Sequence, residues 1–199
     1  MHEVSETRAE RVVGLAASAG GLNALLGVVS KLPGNLPAAV VIVQHLEPTH
    51  QSMIASILNR RTDLRVSEAR GGDRLLAGHA FVAPPDRHLL VNVNGTLSLT
   101  QSELVHFVRP SADLLFESLA ASYKERAIAV VLSGTGIDGS LGTTAVKKMG
   151  GLVIAQDEAT AEFFGMPGAA IETGAVELVL PLDEISAAIV RSTTLGATV

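Results

Sequence analysis

The stretch Ala127-Ile128-Ala129-Val130-Val131-Leu132-Ser133-Gly134-Thr135-Gly136-Ile137-Asp138-Gly139 decides the fold. Its first six residues are an unbroken apolar run, the pattern of a strand buried on both faces, as in a parallel sheet covered by helices. A glycine-rich turn ends the run, and a helical pattern over Leu141 to Met149 follows. Strand, tight turn and helix together form the unit of an open α/β sheet.

The same unit recurs on either side. Upstream, Val12 to Ala16 precedes a helix from about Gly21 to Val29, with Leu22, Leu25, Leu26 and Val29 on one face. Ala39 to Val43 precedes a helix near Ser52 to Asn59, striped by Met53, Ile54, Ile57 and Leu58. Ala80 to Ala83 is a short strand. Ser111, with Pro110 ahead of it, caps a helix to Tyr123 that turns Leu115 and Leu119 inward. Downstream come a strand at Leu152 to Ala155, a short helix after Pro167, a strand at Glu177 to Leu180 and a helix at Asp183 to Arg191. Leu89 to Val93 and Thr96 to Leu99 flank Asn94-Gly95, a hairpin signal, so one antiparallel hairpin is expected to join the sheet. The expected fold is α/β, a doubly wound and mostly parallel sheet with helices on both faces, right-handed crossovers and one antiparallel β-hairpin. It occupies one domain over residues 11–192, between tails at 1–10 and 193–199.

Composition narrows the function. A chain of 199 residues with 47% hydrophobic content builds one sizeable core. Its net charge of -5 gives no overall pull toward nucleic acid or anionic lipid, which leaves proteins and small molecules as partners. With no Cys there is no disulfide, thiol catalysis or thiolate-bound metal. The polar N-terminus lacks a signal-peptide pattern and no apolar run is long enough to span a bilayer, so a cytoplasmic location without membrane insertion is expected.

Ser18, His45 and Asp138 each stand just past the end of a strand pattern, in turn-forming surroundings. The carboxyl ends of parallel strands share one rim, so the three can meet across a crevice as nucleophile, base and orienting carboxylate. Their chain order, Ser then His then Asp, is neither that of the α/β-hydrolases nor that of subtilisin, which implies another fold. The amides of Ala19, Gly20 and Gly21, at a helix N-terminus, suit a developing oxyanion. Each residue also has a plainer reading. Ser18 fits an N-cap, and His45 is one of six histidines, of which His88 is a second candidate and His2, His50, His79 and His106 are not at strand ends. Gly134 to Gly139 spells the dinucleotide fingerprint G-x-G-x-x-G, with Asp157 and Glu158 after the next strand, which opens an oxidoreductase reading. Against it, the Asp138 carboxylate sits where a pyrophosphate would lie.

Several motifs in order carry a family resemblance. Gly14 to Gly21, Val43-Gln44-His45, Ala83 to His88, Arg109 to Asp113, Leu132 to Gly139 and Gly165-Met166-Pro167 together resemble the catalytic domain of the chemotaxis protein-glutamate methylesterases, the CheB family, from about Val12 to Ile189. The resemblance implies hydrolysis of glutamate γ-methyl esters on chemoreceptors with release of methanol, and deamidation of receptor glutamine as a related activity. It implies Ser18 as nucleophile, His45 as general base and Asp138 as its carboxylate, with no metal or organic cofactor. In the mechanism it implies, the amides near Thr135 and Gly136 are expected to join those after Ser18 at the oxyanion. The chain departs from the family's usual pattern at Ala19 and Thr135, as do fusions of methylesterase with methyltransferase domains. Those two changes keep a third reading open, a non-catalytic interaction module. Only about ten residues precede the first strand, too few for a receiver domain, so regulation in trans or an excised domain is expected. Arg60, Arg61, Arg65, Arg70, Arg74 and Arg87 form a basic stretch read either as a docking patch for an acidic partner or as a solvated face.

Overall fold

A computed structural model of the chain describes residues 7–45 and 53–194. His2, His50, residues 46–48 after His45, the start of the expected helix at Ser52 and most of both expected tails lie outside the described residues.

The sheet has seven strands, all parallel where they pair: β1 (Arg11–Ala17), β2 (Ala38–Gln44), β3 (Arg65–Glu68), β4 (His79–Val82), β7 (Ala127–Val131), β8 (Leu152–Gln156) and β9 (Leu178–Leu180), in the spatial order β3-β4-β2-β1-β7-β8-β9. Residue alternation splits the core in two. On β1, β2 and β7, Val12, Ala16, Ala39, Val41, Val43, Ala129 and Val131 face one layer, while Val13, Leu15, Val40, Ile42, Ile128 and Val130 face the other. Both faces of these strands are therefore apolar, and each fully buried Val, Leu or Ile is worth roughly 1.5–3 kcal/mol of transfer free energy.

Helices α1 (Gly21–Val29), α2 (Ile54–Asn59) and α6 (Leu182–Thr194) cover the second layer; α3 (Ala112–Tyr123), α4 (Ser140–Lys148) and α5 (Gly165–Glu172) cover the first. α3 lies close on β1 because Gly14 has no side chain: a Cβ there would sit 3.0 Å from Phe116 Cε1 and 3.1 Å from Leu119 Cδ2. That approach sets the N-terminus of α3 at the rim of the sheet.

The hairpin differs from expectation. β5 (His88–Val91) and β6 (Leu97–Thr100) pair antiparallel with each other alone, as a separate two-stranded sheet. Leu89, Val91 and Leu97 turn its apolar face onto α3, so the hairpin is an added layer and the main sheet stays wholly parallel. The edge strand β3 was not expected either. Its Arg-Val-Ser-Glu sequence has no apolar alternation, since only Val66 is partly buried and the pairing is made by backbone.

Strand order reverses direction between β1 and β7, the switch point at whose carboxyl ends open α/β sheets form their crevice.

Candidate active site

Ser18 follows β1, His45 follows β2 and Asp138 lies in the turn after β7, so parallel pairing brings all three sequence-predicted residues to the same crevice. Ala17 pairs with Gln44 in register, which sets Ser18 beside His45, and the His45 amide donates to Ala17 O at 3.1 Å. The Ser18 amide donates to Ser133 O at 3.0 Å, tying it to the β7 turn. Ser18 is half-buried and has no side-chain hydrogen bond among the described residues.

His45 and Asp138 form a pair, with Nε2 donating to Asp138 Oδ2 at 2.8 Å, and the side chains are 11% and 3% exposed. With Nε2 committed to the carboxylate, Nδ1 is the ring nitrogen left for Ser18. A buried carboxylate needs donors, and the N-terminus of α3 supplies them. Ala112 N donates to Asp138 Oδ2 at 2.6 Å, Asp113 N to Oδ1 at 3.1 Å and Ser111 Oγ to Oδ1 at 2.8 Å. Burial pushes the Asp138 carboxyl up, but the His45 bond and the two amides outweigh it and hold the group below its usual value of 3.8. Ser111 is thus more than the expected cap: its hydroxyl also accepts from Leu114 N.

The turn at Ser18 is held from several sides. Gln44 Nε2 donates to Ser18 O at 2.7 Å and to His45 O at 3.1 Å. Ser133 Oγ donates to Ala19 O at 2.8 Å and accepts from Phe163 N, while Ser133 N donates to Gln156 Oε1. Gly134 is clamped through both backbone groups, its amide on Phe163 O and its carbonyl under Met166 N. A Cβ on Gly134 would lie 2.4 Å from Met166 Sδ and 2.9 Å from Ser18 Cβ, so glycine lets the two turns close on each other. The amides of Ala19, Gly20, Thr135 and Gly136 have no acceptor among the described residues; the first two follow Ser18 directly in the chain, and the other two follow Gly134, which packs against Ser18 Cβ. Gly21 does not join them, because its amide closes the turn onto Ser18 O at 2.8 Å.

Other expectations resolve locally. His88 is fully buried, with Nδ1 accepting from Ser111 N at 3.1 Å and Nε2 donating to Glu103 O at 2.9 Å. That pattern fixes a neutral ring with a structural role, so the second candidate base is withdrawn. The Asp138 carboxylate of the G-x-G-x-x-G turn points into the α3 N-terminus, and Asp157 receives Thr160 N and Oγ1 within its own turn. Neither is set as a dinucleotide site requires. His106, Asp113 and Asp138 offer ligand atoms within 4.8 Å of one another, but every carboxylate oxygen there already accepts an N–H or O–H donor. The basic stretch is scattered: Arg65 opens β3 at the opposite rim, and Thr62, next to Arg60 and Arg61, bonds Val29 O at the far end of α1. Those three arginines do not border the crevice.

Sequence reading missed Gln44, Ser133, Gln156 and Asp113. A polar residue ending an otherwise apolar strand, as at Gln44 and Gln156, was the available signal.

Among the described residues no helix is long and apolar enough to cross a membrane. The family model described as CheB methylesterase matches residues 13–189. The chain is 41% identical over 182 residues to a protein-glutamate methylesterase/protein-glutamine glutaminase of Symbiobacterium thermophilum, covering 92% of this chain and 50% of that one. It is 45% identical over 185 residues to one of Pseudomonas aeruginosa, covering 92% and 53%. It therefore spans about half the length of the curated relatives it matches. The crystal structure of the Thermotoga maritima CheB methylesterase catalytic domain superposes with a TM-score of 0.88 at 37% identity, covering 91% of this chain and 97% of that one.

Proposed function

Because the chain belongs to the CheB methylesterase family, we propose that it hydrolyses glutamate γ-methyl esters on a chemoreceptor or similar signalling protein in the cytoplasm, over a catalytic unit of residues 11–192. Deamidation of glutamine side chains is the related activity. The observation that carries this reading is the 2.8 Å His45–Asp138 pair beside Ser18, with the carboxylate kept ionised by the α3 amides.

In the proposed reaction, His45 Nδ1 takes the Ser18 proton as Oγ attacks the ester carbonyl. Asp138 holds the ring through Nε2 and stabilises the imidazolium. The tetrahedral oxyanion lies against the unpaired amides near Ala19, Gly20, Thr135 and Gly136, each such donor contributing on the order of 10²–10³ in rate. His45 returns the proton to the departing methoxide, methanol leaves, and water attacks the acyl-enzyme by the same route to release glutamate. Neutral imidazole is the base, so activity rises with pH.

Methanol release from a methylated receptor, compared between wild type and Ser18→Ala, tests the reading. Turnover that disappears in the variant supports it; a folded wild type with no turnover leaves the non-catalytic module. A saturable rise in melting temperature with NAD would instead favour the dinucleotide reading.

A further inference from the structure

Behind the His45–Asp138 pair stands a second acid–histidine pair that the proposed reaction does not use. Asp113, in the first turn of α3 and 3% exposed, accepts from Gly142 N of α4 at 2.8 Å through Oδ1 and from His106 Nε2 at 3.0 Å through Oδ2. Its carboxylate and that of Asp138 come within 4.8 Å of each other. His106 is carried on a tight turn closed by Val105 and Val108, where His106 and Phe107 both have positive φ, 49° and 64°. Two bulky side chains in the left-handed region are strained, and such strain persists where the surroundings impose it.

Asp113 is not needed to cap its helix. Ser111 Oγ receives Leu114 N, and Asp138 receives the amides of Ala112 and Asp113. The link to Gly142 joins α3 to α4, but a neutral acceptor would serve it equally. What the charge itself adds is a negative field immediately behind Asp138.

We propose that Asp113 is a positioning residue for this esterase, acting through Asp138 to strengthen the hold of His45 on its proton. The inference rests on the reading of His45 as the catalytic base. Facing Asp113 are Asp138 from the β7 turn, His106 from the loop ahead of α3, Glu117 from its own helix and the Gly142 amide from α4, with His45 beyond Asp138. His88, nearby on β5, is committed as a neutral ring. Burial pushes the Asp113 carboxyl up, the Gly142 amide draws it down and the Asp138 charge raises it again, leaving it above its usual value. The two acids are therefore set apart: as pH falls Asp113 loses its charge first, while Asp138 stays ionised.

The test is Asp113→Asn, which keeps an acceptor for Gly142 N and removes the charge together with the oxygen that accepts from His106. In a pH series of kcat/KM on methylated receptor, the acid limb should move to lower pH by about one unit, with a severalfold lower plateau from a weaker base. Melting temperature should hold or rise, because ionising a carboxyl whose pKa is raised in the native state costs stability at neutral pH. An unmoved acid limb in a folded variant overturns the proposal and leaves Asp113 as a strut between α3 and α4. Absence of turnover in wild type would fail the esterase reading instead. Independently of any variant, an NMR titration of the wild-type His45 ring should bend a second time where the Asp113 carboxyl titrates; a single-step curve also overturns the proposal.

Discussion

The turns after β1 and after β7 use the same backbone device to opposite chemical ends. Each leads into its helix through a glycine in the left-handed region, Gly20 at φ 69° before α1 and Gly139 at φ 99° before α4, and neither helix has a side-chain cap. In the first, the polar residue stands at the strand end, half-buried and without a side-chain hydrogen bond among the described residues. In the second, it stands beside the capping glycine and is buried, with four donors on its two oxygens. A nucleophile must reach substrate, whereas an orienting carboxylate must stay charged in a dry place, and the neighbouring α3 N-terminus makes the difference. Glycine-rich turns thus do not specify chemistry; what packs against them does.

The contrast between the two turns is tested hardest by emptying both poles of the proton relay. Ser18→Ala and His45→Ala should each lower methanol release by about 10⁴-fold or more, and the double variant should be no worse, since members of a triad act as a unit. Circular dichroism should be unchanged. Near-wild-type turnover in Ser18→Ala would sink the nucleophile assignment.

Asp138→Asn should cost about 10⁴-fold in kcat through loss of the ring's orientation, as in triads generally. It should also lower stability, unlike the first pair. The native Asp138 carboxyl lies below its usual value, so its charge stabilises the fold above the ordinary carboxylate range and that contribution fades as pH falls toward the lower native value. Denaturant melts of wild type and variant should therefore converge on acidification; a gap independent of pH would mean that packing, not charge, fixes Asp138.

Thr135→Pro, which deletes an amide of the proposed oxyanion site, should lower kcat roughly 10²–10³-fold, while Thr135→Ala should change chiefly KM. If a folded Ala variant is as inactive as Pro, the hydroxyl rather than the backbone is the participant.

Two glycines in the β7 turn give the smallest effects and the finest discrimination. Gly134→Ala drives a methyl into Met166 and Ser18 Cβ and should cost on the order of 1–3 kcal/mol with a parallel loss of activity. A Cβ on Gly136 meets nothing within 4 Å, so only its φ of 85° is strained, at about 1 kcal/mol. Thermal melts of the two variants should rank in that order.

Much of this was legible without coordinates. The apolar runs at Val12 to Ala16, Ala39 to Val43 and Ala127 to Leu132 predict a helix-covered parallel sheet because only strands buried on both faces have that pattern. Ser18, His45 and Asp138 could be picked out by their positions at strand ends. β3 escaped because an edge strand pairs through backbone and needs no apolar signature. The hairpin was recognised but misassigned, since antiparallel pairing is local while its docking on α3 is not. His88 was indistinguishable by sequence from a base, because what makes it structural is a carbonyl at Glu103 and an amide at Ser111.

Local hydrophobic periodicity and turn composition are written residue by residue, and they carry the buried strands, their helices and the residues able to do chemistry. Contacts between distant segments set which ring nitrogen of His45 faces Asp138, which helix keeps that carboxylate charged, which turn amides have no acceptor among the described residues and how near a second carboxylate stands. Those are matters of hydrogen-bond geometry and desolvation between segments some 25 to 93 residues apart, and no local pattern in the chain encodes them.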